Sequence, residues 1–134
     1  MRIVISVLLL SLTFFTLIGC NQHETSRVSR VEVIGNPQAE DILVNNPEAD
    51  IFQFNEIVYS NAVNLEWVQA ANLTKGELVG IIKEQYMEGK QFKDEMATIL
   101  PVGAEIYEPV NRQGPILIVI FEDKEWRYLG LIEG

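Results

Sequence analysis

Carboxylates are the only plentiful groups in this 134-residue chain that could act on a substrate. Glu105 and Glu108 flank a stretch of β-forming residues, and Glu122, Asp123 and Glu125 crowd a later turn. Two carboxyl groups held about 5–9 Å apart can cleave a glycosidic bond, one as the acid and the other as base or nucleophile. Acidic residues at strand ends and turns are also the ordinary solvated choice, and a chain this short rarely forms the deep cleft that a catalytic carboxylate needs. The acidic turn could lend oxygens to a weakly held Ca²⁺, although the ordered Asp-x-Asp-x-Asp-Gly spacing of a dedicated loop is missing. Nucleophilic catalysis has less to work with. The single histidine, His23, lies in a polar stretch near the N-terminus, which excludes Ser/His/Asp and Cys/His arrangements and histidine-rich zinc sites. No glycine-rich loop has phosphate-binding spacing. The chain is expected to be non-enzymatic and to use no metal or cofactor.

Trp67, Trp126, Tyr107 and Tyr128 allow two readings. As core or hairpin residues they need no function. As an exposed platform they would stack on sugars or grip a segment of a partner.

The one cysteine, Cys20, closes Leu17-Ile18-Gly19-Cys20 at the end of an apolar run from Ile3 to Ile18, preceded by the lone charge of Arg2. That run is shorter than the eighteen or so residues of a bilayer-spanning helix. It is followed by Asn21-Gln22-His23-Glu24 and not by a cluster of lysines. The arrangement resembles the lipobox signal peptide of bacterial lipoproteins. The resemblance implies export, transfer of a diacylglycerol to the Cys20 thiol, and cleavage before it. Residues 1–19 are then a targeting segment to be left out of fold reasoning. Two acyl chains suffice for stable attachment where one does not, so the resemblance places the protein on the outer face of the cell membrane. With no second cysteine, no disulfide can hold the domain. Residues 20–29 are polar and aperiodic and read as a tether with nothing to bury.

All nineteen acidic residues follow Cys20, while loss of Arg2 leaves nine basic ones, so the net charge of −9 becomes −10 after cleavage. Nucleic acid and anionic headgroups would repel such a surface. Cations, cationic peptides or a basic protein stay open as partners, and the charge also serves solubility. The remaining length suits one domain, residues 30–134.

Any site must be carried by short elements. Val31–Ile34 alternates briefly and suggests a strand. Asn36-Pro37 has the form of an N-cap and first helical residue, opening a short helix over Gln38–Val44 with Glu40 and Asp41 in its first turn. Two β-rich runs flank Asn55-Glu56, which predicts a tight hairpin although the second turn residue is not glycine. A one- to two-turn helix fits within Asn61–Ala71. Over Thr74–Gly89 a capping-box pattern competes with Gly76 and Gly80, which cost a helix roughly 1 kcal/mol each, and the balance favours a strand. Ala97–Leu100 and Ala104–Glu108 read as strands about a Pro101-Val102-Gly103 turn. Ile116–Phe121, six apolar residues, reads as a central strand buried on both faces. After a charged turn it pairs with Trp126–Ile132, where Trp126 and Tyr128 share one face and Arg127, Leu129 and Leu131 the other.

The stretch Ala97-Thr98-x-Leu100-Pro101-Val102-Gly103-x-x-Ile106-Tyr107, followed by an apolar strand, a charged turn and Tyr128-Leu129, resembles the C-terminal half of small lipoproteins of Gram-positive bacilli. That resemblance implies a β-rich domain and carries no activity or site residues. The expected fold is mainly β (α+β), a small antiparallel sheet or partly open barrel with one or two short helices. The expected role is a non-enzymatic binding module that meets an envelope protein, peptide or glycan. A small wall-active hydrolase using paired carboxylates and a purely structural lipoprotein are the alternatives.

Overall fold

A computed structural model describes residues 35–134 of the chain. Cys20, His23, the tether and the strand expected at Val31–Ile34 lie outside the described residues. Within them run α1 (Ala39–Asn45), β1 (Ile51–Phe54), β2 (Ile57–Asn61), α2 (Glu66–Ala70), β3 (Lys75–Ile81), β4 (Glu84–Gln85), β5 (Met96–Ala97), β6 (Glu105–Pro109), β7 (Ile116–Phe121) and β8 (Lys124–Gly130). Of the described residues, strand accounts for 38% and helix for 12%, so the class is mainly β.

The eight strands form one sheet in the order β3-β6-β7-β8-β2-β1-β5-β4, antiparallel throughout except for the β4–β5 pair. Its two edge strands, β3 and β4, are consecutive in the chain and joined by Ile82 and Lys83 alone. In a flat sheet seven spacings would part those edges by about 34 Å. Three residue steps reach only about 10 Å. The sheet must therefore curl, and it forms a half-barrel. The link is bonded on both sides. Ile82 N–H donates to Ala104 O and its carbonyl accepts from Gly103 N, each at 2.8 Å, while Lys83 N–H donates to Glu95 O at 2.8 Å.

Local chemistry explains most elements. Asn55 and Glu56 both take positive φ, 49° and 62°, as a two-residue hairpin turn with the right twist requires. Glutamate is a poor occupant of that region, but its N–H is held by Asp94 Oδ1 at 2.9 Å. The helix-or-strand ambiguity at residues 74–89 resolves to β3, and the two glycines decide it. A Cβ at Gly76 would run into the Glu108 carbonyl, and one at Gly80 would stand 2.8 Å from Phe54 Cε2. The residues that spoil a helix are those the strand needs for close packing.

Three expectations need correction. Asn36 does not cap α1. The N-cap is Gln38, with no side-chain bond, and Asn36 Oδ1 instead accepts Glu133 N–H at 3.2 Å. The strand expected over Ala97–Leu100 ends at Ala97, because the Thr98 hydroxyl takes over the pairing to the start of β1. It accepts Ile51 N–H at 3.0 Å and donates to Ala49 O at 2.7 Å. In β7, Ile116 to Val119 are buried, but Ile120 and Phe121 emerge to half-burial.

The concave side of the half-barrel is filled by Phe52, Tyr59, Ile106, Leu117, Val119 and Tyr128 among others. Phe52 stacks on Tyr59 at 5.2 Å and meets Tyr128 edge-on at 5.0 Å. On the convex side Val68 of α2 covers Ile116, beside Ala62 just past the end of β2. The Arg127 guanidinium of β8 pins that helix by donating to the carbonyls of Val68, Gln69 and Ala71 at 2.6, 3.0 and 2.8 Å. A cation on the orphan carbonyls of a helix end also suits its dipole. Beneath α1 a further cluster joins Ala39, Ile51, Val58, Phe92 and Met96.

Candidate functional site

The carboxylates that the sequence singles out are dispersed by the fold. Glu105 and Glu108 are three residues apart on one strand, so their side chains leave opposite faces of the sheet. Glu105 accepts the Tyr107 hydroxyl at 2.5 Å, and that charge pushes the phenol above its ordinary range. Lys75 Nζ lies 4.6 Å over the same ring. Glu108 forms an ion pair with Arg112. Glu122, Asp123 and Glu125 are exposed around the β7–β8 turn. Among the described residues no three His, Cys, Asp or Glu side chains converge to hold a metal ion. The four aromatics do not form a platform either. Tyr128 is buried, Trp126 packs toward the concave core, Tyr107 is on the other face, and only Trp67 is mostly exposed.

Two concavities stand out, and of those carboxylates and aromatics only Glu108 lines either. One, of about 520 Å³, lies beside the tip of the β1–β2 hairpin and is lined by Phe54, Asn55, Val79, Asp94, Glu95 and Glu108. Its three carboxylates are all engaged. Asp94 holds Gln53 Nε2 and Glu56 N–H, Glu95 pairs with Lys83, and Glu108 pairs with Arg112. A ligand there would have to displace those partners.

The larger groove, of about 690 Å³, runs between α1 and the segment after β4. α1 turns Ala39, Ile42 and Leu43 toward the core beneath it. That leaves Val44, 82% exposed, beside Pro47 on the groove wall. The opposite wall is Tyr86 and the loop through Gln91, which Glu84 folds back on itself by binding Lys90 Nζ at 2.8 Å and Lys93 Nζ at 2.9 Å. Hydrogen bonds from those two ammonium groups, Lys90 first, hold the Glu84 carboxyl down at about 2. Gly89 supplies the reversal with φ of +86°. Phe92 anchors the loop from below, tilted against Tyr86 at 5.1 Å, and its N–H donates to Glu40 Oε1 on α1 at 2.8 Å. Both walls are thus tied to each other and to the core.

The result is a pre-formed groove with an apolar lining of Leu43, Val44, Pro47 and Tyr86 and a rim of Glu40, Glu88, Lys90 and Gln91. A volume of this order, apolar with a few polar groups at its edge, suits recognition of a small ligand or a few side chains. The sequence offered little sign of it. Residues 88–91 are polar and aperiodic, and only the isolated Gly89 marks a turn. No family model, curated protein or solved structure matches this chain.

Proposed function

We propose that this chain is a lipid-anchored binding module of the bacterial envelope, held by Cys20 on the outer face of the cell membrane and recognising its partner through the groove between α1 and residues 86–91. The anchor rests on the Leu17-Ile18-Gly19-Cys20 motif and the apolar run before it. The observation that carries the binding reading is the groove itself, an apolar-lined concavity whose walls are fixed by the Glu84 ion pairs and the Phe92–Glu40 bond. The paired-carboxylate alternative gains nothing from the fold, because Glu105 and Glu108 leave opposite faces of β6.

Replacing Cys20 with Ser tests the anchor. The variant should fail to incorporate labelled fatty acid and should leave the membrane fraction. Unchanged fractionation with an unchanged mass would mean that residues 3–18 stay attached as the anchor.

A further inference from the structure

We infer that the groove's occupant is a peptide segment that presents a bulky apolar side chain next to a lysine or arginine. This rests on the groove being the binding site, and it adds the chemistry of the partner. The apolar part follows from the lining. Val44 is 82% exposed on one wall, beside Leu43 and Pro47 and across from Tyr86. Water over such a surface is released when an aliphatic or aromatic side chain covers it.

The basic part follows from how the rim charges are spent. Lys90, the one cation lining the groove among the described residues, is bonded to Glu84, as is its neighbour Lys93. Glu40 uses Oε1 on Phe92 N–H, and among the described residues neither Glu40 nor Glu88 has a cationic partner. With Glu40, Glu84 and Glu88 against Lys90 and Lys93, the rim keeps one negative charge in excess among the described residues, and Glu40 and Glu88 are the carboxylates left to face a ligand. The chain as a whole carries −9, so a cationic partner is also steered toward it while an anionic lipid or polymer is not. A peptide satisfies both requirements at once, because a lysine or arginine beside an apolar residue reaches the rim while its neighbour fills the floor.

The probe is a library of random peptides displayed on phage, selected on the full-length chain in detergent and followed by titration of the enriched peptides. The enriched sequences should carry Leu, Ile, Phe, Met or Trp within two positions of Lys or Arg. Val44→Asn, which removes apolar contact without changing charge at a solvent-exposed position, should weaken them roughly tenfold. Glu88→Lys should weaken them by about fivefold or more and shift a fresh selection toward acidic flanks. If the enriched peptides lose affinity in Val44→Asn but show no basic preference, the groove stands as the binding site and the inferred partner chemistry is wrong. If nothing is enriched, or binding ignores Val44→Asn, both the inference and the groove reading fail.

Discussion

The Tyr128 hydroxyl donates to Asp50 Oδ1 at 2.8 Å, joining the middle of the last strand to the residue that opens the first. Asp50 Oδ2 accepts Asn61 Nδ2 at 2.6 Å, so one carboxylate gathers β8, β2 and the start of β1. The three strands are neighbours in the sheet, although β8 lies far along the chain from the β1–β2 hairpin. Tyr128 is buried against Phe52, and this bond satisfies a polar atom that would otherwise be costly in the core.

Tyr128→Phe should therefore destabilise the fold by about 1.5–3 kcal/mol, the range for losing a hydrogen bond to a charged group. The pH dependence has a definite sign. Burial, with the Asp50 carboxylate second, raises the native phenol above its ordinary value near 10. The unfolded chain ionises there and the native state does not, so the bond's contribution is complete below pH 10 and is lost as pH rises past it. Tyr59 and Tyr107 are shifted in the same direction and add to the fall. Urea melts between pH 7 and 11 should show stability dropping above pH 10, with a shallower slope in Tyr128→Phe. Equal slopes would mean that Tyr128 ionises freely in the native state.

The Glu84 carboxyl should titrate with a midpoint of about 2 by NMR, because Lys90 and Lys93 both bond it. A depressed carboxylate stabilises above its unfolded value, near 4.3, and loses that effect as pH falls toward 2. Its pairs are exposed, so the global effect is small. The local one is the useful readout. Glu84→Gln should speed hydrogen exchange at Lys90 N–H, which bonds Met87 O at 3.1 Å, and leave the β7 amides unchanged. A Glu84 midpoint in the ordinary carboxylate range would show that the loop is not clamped in solution.

Ile118 and Ile120 alternate on one face of β7 and differ sharply in burial. Ile118 is 1% exposed, flanked in register by Tyr107 and Arg127, whose guanidinium is bound to the end of α2. Ile120 lies between Glu105 and Glu125 and is half-buried. Ile118→Ala should cost about 2–5 kcal/mol, the range for a core isoleucine. Ile120→Ala should cost clearly less, and Asp123→Ala in the exposed turn less than about 0.5 kcal/mol. Comparable urea midpoints for the two isoleucine variants would place the convex side of β7 wrongly.

The sequence by itself determined what depends on near neighbours. Alternation and turn chemistry place the β1–β2 hairpin at Asn55-Glu56, the apolar strand at residues 116–121, and the two faces of β8 that divide Trp126 and Tyr128 from Arg127 and Leu129. Gly76 and Gly80 argue against a helix before any packing is known. Each of these is settled within a few residues of backbone, where steric limits and the period of two act directly. The tertiary structure alone decided the rest. Whether Asn36 caps α1 or holds Glu133 depends on a partner 97 positions away. The half-barrel follows from which strands lie at the edges, and the two-residue link Ile82-Lys83 has that meaning only once β3 and β4 are known to be those edges. The dispersal of Glu105 and Glu108 follows from β6 being a strand of this sheet, and Ile120 emerges where Glu105 and Glu125 flank it. The groove is the clearest case. Val44, Pro47, Tyr86 and Glu88 share no motif, and they meet because Glu84 draws back Lys90 and Lys93 while Glu40 binds Phe92 N–H. Such bonds join residues by side-chain reach across the fold, and no periodicity along the chain encodes them.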